Sequence, residues 1–576
     1  MRNKQAITAY YGMALIALLM IFAFGCTNIS GNYVESKKSA LSESEMETSI
    51  ETARSSPSAN ASDADVSKDS GVTDSGTEFQ SDGGLSINKL FSENIIVLHK
   101  NTKAAKRVDR IKNIIGVSRV RIATINFDAL TKSALEMNLF DNVMPTITKR
   151  DINIRGFNNY SWSSEYDHET GEANFTVVDG VLEGLYQKGN DVYRIRRIGE
   201  RIYIIIDYDE RKAIEYDCNT SKGSIKNLAK KVNATPPNIV DAGSKGSKSS
   251  YQPARILVGY TKEAADFVET DGYYSTMKAE AQFFIDQMNN SFENSEIDDD
   301  VSVELVRVLE FDYEEYDQGT SAENELKDLE RWTFSLEELP PGGNGPYMDD
   351  VHYYERWDYT ADICVLIRHA NAGGRAYTIE ADYTTSFAVT SNHDMDSQNE
   401  VVRIVVGMVF AHEVGHLYGC CHHVEECENN PACDPEEDDP CYNTSDHGFC
   451  RTTTPKYRTI MATDKYCSET RTNWWSDPDW TPYARGVANE SDCSAKMVSR
   501  ADTMATLVAT PSNLSLPALN VESGEYASAI ATTSISNPST TSYRVKYGAE
   551  VIFKAPTITL RKGFKADNGS MFRAYR

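Results

Sequence analysis

The sequence predicts a central α/β domain with a mixed, mostly parallel sheet, a β-rich domain before it and a small β module after it. Three observations carry that expectation. Between 254 and 419, short apolar strands alternate with helix-length runs, and strands that alternate with helices build parallel sheets. Between 88 and 218, the apolar runs are short, β-branched and separated by Gly, Asn and Asp turns, as in an antiparallel domain. At 576 residues, the chain also exceeds what a single core serves.

The first element is an export signal. Arg2 and Lys4 precede an apolar run from Ala6 to Gly25, and Cys26 follows directly. Residues 1–26 resemble a bacterial lipoprotein signal whose cysteine is lipidated, although Ala23 and Phe24 depart from the usual pattern. The expected location is outside the cytoplasm, in the bacterial cell envelope, anchored in the membrane through lipid on Cys26; cleaved secretion is the alternative. Later in the chain, no segment is long and apolar enough to span a bilayer. Residues 27–86 are Ser- and Asp-rich with few large apolar side chains, the composition of a disordered linker.

The β-rich domain spans 87–218, with "VSRVRIATINF", "ANFTVVDG", "VYRIRRIG" and "RIYIIIDYD" as its clearest strands. A polar connection, 219–253, follows; Lys245 and Lys248 lie there among Gly and Ser, in a loop that proteases can nick. The central domain, 254–510, opens with the strand "ARILVGY". An amphipathic helix at 275–292 comes next, then strands at 301–311 and 361–370. After "GRAYTI" and "SFAVTSN", the run 399–419 has helical length and ends at Gly419. A cysteine-rich, irregular stretch covers 420–480, with a helix expected near 490–508. The module at 517–576 reads as strand–turn–strand, without an internal repeat of fixed period.

Charge and cysteine usage narrow the function. Lys and Arg number 58 against 85 Asp and Glu, a net charge of −27, which argues against nucleic acid as a partner and for simple solubility. Eight of the eleven cysteines fall between 420 and 493, and in an oxidising compartment that density reads as disulfides. Cys364, inside an apolar strand, reads as a buried thiol.

The chemistry concentrates in "HEVGHLYGCCHH", residues 412–423. On a helix, His412 and His416 share one face a turn apart and can reach a single cation. Glu413 stands beside the first, placed as a general base without being a ligand. Gly419 can adopt the left-handed conformation that ends the helix, and the turn brings back His422 as a third nitrogen. Three protein ligands leave one position open, which is the pattern of catalytic Zn2+. Cys420 and Cys421 offer a different ligand set, a closed Cys/His structural site; oxidation of both is the favoured reading, with a bridge from one of them to Cys467 expected.

HExxHxxGxxH is the metzincin zinc signature, and "RTIMATDKYC" (458–467) resembles the family's Met-turn, with Met461 as the apolar floor of the site. "DHGFC", "RTNWWSDPDW" and "ILVGYTKEAA" extend the similarity to bacterial reprolysin-like (adamalysin-type) proteases over about 253–510. The resemblance implies a zinc-dependent endopeptidase with a protein or peptide substrate. It also implies one antiparallel edge strand, for which Gly374, Arg375, Ala376 and Tyr377 are the candidates, to which a substrate adds by backbone hydrogen bonds. Two residues depart from the pattern: His423 stands where reprolysins carry aspartate, and Thr463 where bacterial relatives often carry tyrosine.

The β-rich domain resembles the propeptides of such proteases, which implies a zymogen with its activation site in 219–253. Cys218 is then a candidate cysteine switch, although "EYDCNTS" lacks the usual surroundings. The acidic loop 425–441 could offer oxygens to Ca2+, but a solvated, disulfide-tied loop is the favoured reading. Outside the enzymes, the alternative is a surface adhesin or binding lipoprotein on a degenerate metzincin scaffold; retention of Glu413 argues against it.

Overall fold

The computed structural model describes residues 87–211, 252–265, 275–311, 356–368, 374–395, 401–425, 441–480 and 484–575, apart from short breaks within these ranges. The described residues are mostly β-sheet with few helices.

The N-terminal domain contains β1 (Ile87–Lys89), α1 (Lys103–Lys112), β2 (Val117–Ala123), β3 (Ala134–Glu136), β4 (Thr146–Gly156), β5 (Asn159–Ser164), β6 (Glu172–Val178), β7 (Val181–Lys188), β8 (Asp191–Gly199) and β9 (Ile202–Tyr208). They form a nine-stranded sheet in the order β1-β3-β4-β5-β6-β7-β8-β9-β2, antiparallel except for the β1–β3 pair. Between β6 and β7, Asp179 and Gly180 both take positive φ (53° and 78°), the backbone a two-residue hairpin needs. Helix α1 is a helical element within the β-rich domain; Thr102 caps it by accepting the Ala105 N–H at 3.2 Å.

The central part holds β10 (Ala254–Thr261), α2 (Ser275–Asn294), β11 (Val303–Phe311), β12 (Ile363–Arg368), β13 (Gly374–Ala376), β14 (Phe387–Ser391), β15 (His393–Met395), β16 (Val401–Ile404), α3 (Met408–Tyr418), β17 (Cys450–Arg451), β18 (Tyr457–Arg458) and α4 (Cys493–Met504). Strand β10 pairs in parallel with β11 and with β12, and β12 in parallel with β14, while β13 closes the edge antiparallel to β14. The 399–419 run is not one helix. Its front, Val401–Ile404, is a strand paired with β15, and the helix begins only at Met408. Four of the six residues in "VVRIVV" are valine, and β-branching favours strand over helix there.

The C-terminal module is a three-turn β-solenoid. Its strands are β19 (Asn513–Ser515), β20 (Leu519–Val521), β21 (Tyr526–Ile530), β22 (Ser534–Ser536), β23 (Tyr543–Val545), β24 (Glu550–Lys554), β25 (Thr557–Thr559), β26 (Phe564–Ala566) and β27 (Met571–Tyr575). Each turn adds one strand to each of three parallel sheets, β19-β22-β25, β20-β23-β26 and β21-β24-β27. The repeat escaped the sequence reading because it lies in geometry: the inward positions carry Leu514, Ile535, Tyr543, Val545, Val551 and Phe553, with no recurring residue. The third face pairs β21 antiparallel with β11, which merges solenoid and central sheet into eight strands.

Helix α2 is the hub. It lies against β11 and α3 on one side and against β6 and β7 of the N-terminal domain on the other. Met277, Ala281, Phe284, Ile285, Met288 and Phe292 join the central core, as do Leu185 and Val192 from the N-terminal domain. Its polar residues are also buried. Glu280 meets Arg196 at 2.6 Å and Arg194 at 3.4 Å, Glu183 meets Arg194 at 2.9 Å, and Asp286 meets Arg155 at 2.8 Å. Lys278 bridges Asp179 (3.1 Å) and Glu550 (2.5 Å), so N-terminal domain, helix and solenoid share one ion-paired seam.

Candidate metal centre and active site

Helix α3 is buried along its whole length, which its composition explains: "MVFAHEVGHLY" is apolar except at 412, 413 and 416. The four-residue spacing aligns His412 and His416, whose rings lie 4.8 Å apart. Gly419 follows with φ +104°, and a side chain there would run into Lys496. The chain reverses, and His422 returns so that its Nε2 lies 2.9 Å from His416 Nε2 and 3.1 Å from His412 Nε2.

The outer nitrogens fix the chemistry of the inner ones. His412 Nδ1–H donates to the Ile460 carbonyl (2.9 Å), and His416 Nδ1–H to the Cys420 carbonyl (2.8 Å). A carbonyl can only accept, so each proton resides on Nδ1 and each Nε2 lone pair points inward. Burial, then the neighbouring imidazoles, hold His412 and His416 well below the usual histidine pKa, so both are neutral. The Nε2 spacing suits zinc: ligands at about 2.0–2.1 Å in a tetrahedron lie roughly 3.3 Å apart. These three histidines are the group of potential metal ligands found among the described residues.

His422 has support that the sequence reading missed. His447 is buried, and its Nδ1–H donates to the His422 carbonyl at 2.7 Å. Cys421 N–H donates to Asp446 O (2.7 Å) and Gly448 N–H to Cys421 O (3.0 Å), pinning the returning chain to 446–448. A lone histidine in the "DHGFC" segment was the available signal. Arg471 was also missed: it is 2% exposed and near enough to His412 to contribute to its lowered pKa.

Met461 is fully buried beneath the helix, where a Cβ on Gly415 would lie 2.7 Å from its Sδ. Glu413 is 1% exposed and backs onto Gly374 of β13, with Arg375 and Ala376 completing that strand and Tyr377 bonded onward to Phe387 O (2.9 Å). His423 stands apart from the three histidines, half-buried, its Nδ1 accepting from Glu425 N–H at 3.4 Å. Thr463 is buried, and its carbonyl accepts from Cys467 N–H at 3.2 Å.

The disulfides differ from expectation. Cys467 bridges Cys450, tying β17 to the chain after Met461, and Cys421 bridges Cys441. Cys420 is a buried thiol beside Cys493, also a thiol, so neither Cys420 nor Cys421 reaches Cys467. The two adjacent cysteines point apart, and each finds the partner on its own side. Cys364 is a buried thiol. Cys26 and Cys218 lie outside the described residues, as does the acidic loop apart from Glu425 and Cys441.

Convergent imidazoles with a neighbouring glutamate form a group that can hold a metal ion, and comparison with known proteins gives the class. Residues 252–476 match the family described as Reprolysin_5: Metallo-peptidase family M12. The chain carries a reprolysin-like metallopeptidase domain of that family and is a zinc metalloendopeptidase, acting on protein or peptide. Among similar proteins are two called peptidyl-Asp metalloendopeptidase, from Stenotrophomonas maltophilia strains R551-3 and K279a. Each is 25% identical over 351 residues, covering 60% of this chain and 72% of the relative. Metalloproteinase-II from Bacteroides fragilis aligns over 54% of this chain and 87% of its own, at 10% identity and a TM-score of 0.27, a level from which nothing follows.

Proposed function

We propose that the chain is an exported endopeptidase made as a zymogen, in which His412, His416 and His422 hold the zinc and Glu413 is the general base. The observation that carries this is the meeting of three Nε2 atoms, with each Nδ1 proton of His412 and His416 held by a carbonyl. Zinc bound there supplies a Lewis acid for the scissile carbonyl and acidifies the attacking water. Glu413 takes the proton of that water on its carboxylate and delivers it to the leaving amine. Strand β13, at the sheet edge, offers its backbone to an extended substrate. Met461 supports the histidines from below.

We further propose domain limits of 1–26, 27–86, 87–218, 219–253, 254–510 and 517–576, with an α/β, mostly parallel class for 254–510. The parallel pairs β10–β11, β10–β12 and β12–β14 support that class. Cys26 as the lipid anchor places the protein in the cell envelope, and Cys218 is the candidate switch of the zymogen. Both relatives are named for aspartate, and we read the same preference here: Arg471 puts a buried cation beside His412.

The test uses the full chain after limited proteolysis within 219–253, a peptide with one Asp and its Asn counterpart, and mass spectrometry of the products. Expected are cleavage at Asp, at least tenfold slower cleavage of the Asn peptide, and loss of both with a chelator. Glu413→Gln should lose about 10²–10⁴ in rate while metal analysis finds its zinc unchanged. A fully active Gln variant would refute the mechanism; equal cleavage of the two peptides would refute only the aspartate preference.

A further inference from the structure

Gly374 lies on the edge strand in a conformation open to any residue, since its φ is outside the left-handed region where Gly419 sits. Backbone freedom therefore does not account for glycine at this position. Space does. A Cβ built on Gly374 would stand 2.6 Å from Glu413 Cγ, 2.6 Å from Oε1 and 2.8 Å from Cδ, all below the closest approach that side chains make. The three nearest atoms belong to this one side chain.

Strand alternation explains the juxtaposition. Gly374 and Ala376 share a face, and Ala376 belongs to the same core cluster as Val414 and Leu417 of α3. Tyr377, of opposite parity, belongs to the cluster on the other side of the sheet with Leu366 and Val389. The strand itself is fixed, because Gly374, Arg375 and Ala376 are in register with Thr390, Val389 and Ala388 of β14. Glu413 is the partner that can move: it has rotatable bonds, whereas β13 has a ladder.

We propose that Gly374 is a positioning residue for Glu413: the absence of its side chain lets the edge strand back the carboxylate and hold it where it takes the proton. The strand that receives the substrate backbone is then also the wall behind the base, so one short element sets both. This rests on the reading of Glu413 as the base.

The experiment compares wild type, Gly374→Ala, Glu413→Asp, Glu413→Gln and the Gly374→Ala/Glu413→Asp double variant, all as full chains activated by the same limited proteolysis within 219–253. Gly374→Ala should lose about 10–100-fold in kcat, the scale of a misplacement near 1 Å. KM should stay within about twofold, because strand addition uses backbone, and the acid limb of the pH–rate profile should move. Zinc content and Tm should match wild type. In the Asp background, where the carboxylate is one methylene shorter, the added alanine should cost less than about threefold, a non-additivity that marks direct coupling. Wild-type kcat in Gly374→Ala beside an inactive Gln variant would overturn the proposal, as would equal losses in both backgrounds. Loss of zinc or of cooperative melting in Gly374→Ala would also overturn it, by making the glycine structural. An active Gln variant would overturn the base reading instead.

Discussion

Gly415 differs from Gly374 in what crowds it. A Cβ there would meet Met461 Sδ at 2.7 Å and Trp475 Cζ3 at 2.8 Å, both fully buried. These side chains are packed on every side, so the strain of Gly415→Ala falls on the fold. We expect a loss of about 1–3 kcal/mol, read as a lower Tm in zinc-saturated protein. The spacing of His412, His416, Gly419 and His422 was legible because helical periodicity and a glycine stop are local rules. His447 was visible as a lone histidine, but its partner was not legible, since it supports His422 across 25 residues of chain. Disulfide pairing escaped for the same reason: proximity of Cys420 and Cys421 in sequence says nothing about the directions in which they point.

At the scale of elements, the strands of 254–391 could be read from short apolar runs, because burial on both faces demands them. The front of the 399–419 run could not, as an apolar stretch fits strand or helix alike. Helix α2 was read as amphipathic, which implied a wet face; the structure fills that face with Arg194, Arg196 and Arg155 from the N-terminal sheet. Glu183 sits fully buried in this network, and burial pushes its pKa up to about 7 despite Arg194 and Arg196. The folded state therefore binds a proton that the unfolded chain releases above about 4.5. The stability from this group is complete below that pH and is lost as pH rises towards 7. Glu183→Gln, fixed in the neutral form, should gain Tm relative to wild type between pH 5 and pH 8; a pH-independent difference would contradict this.

For the whole molecule, the sequence marked a last module but gave no hint that it shares a sheet with the enzyme. That pairing depends on β11 being left with an open side, which no local pattern reports. Deleting 513–576 should strip β21 from β11, expose an apolar strand edge and remove Glu550 from Lys278. We expect the shortened chain to aggregate, as seen by light scattering, rather than survive as a trimmed protease. A monodisperse and active deletion variant would refute that.

Helix α2 has a consequence for mutational tolerance. Most surface-layer helices offer evolution a solvent stripe on which substitutions are nearly free. From Met277 to Asn294, α2 has no exposed residue. Its apolar side answers to the central core, and its charged side must match partners on the N-terminal sheet and on the solenoid. A change on either side needs an answering change in another part of the chain, so three regions far apart in sequence are bound to vary together.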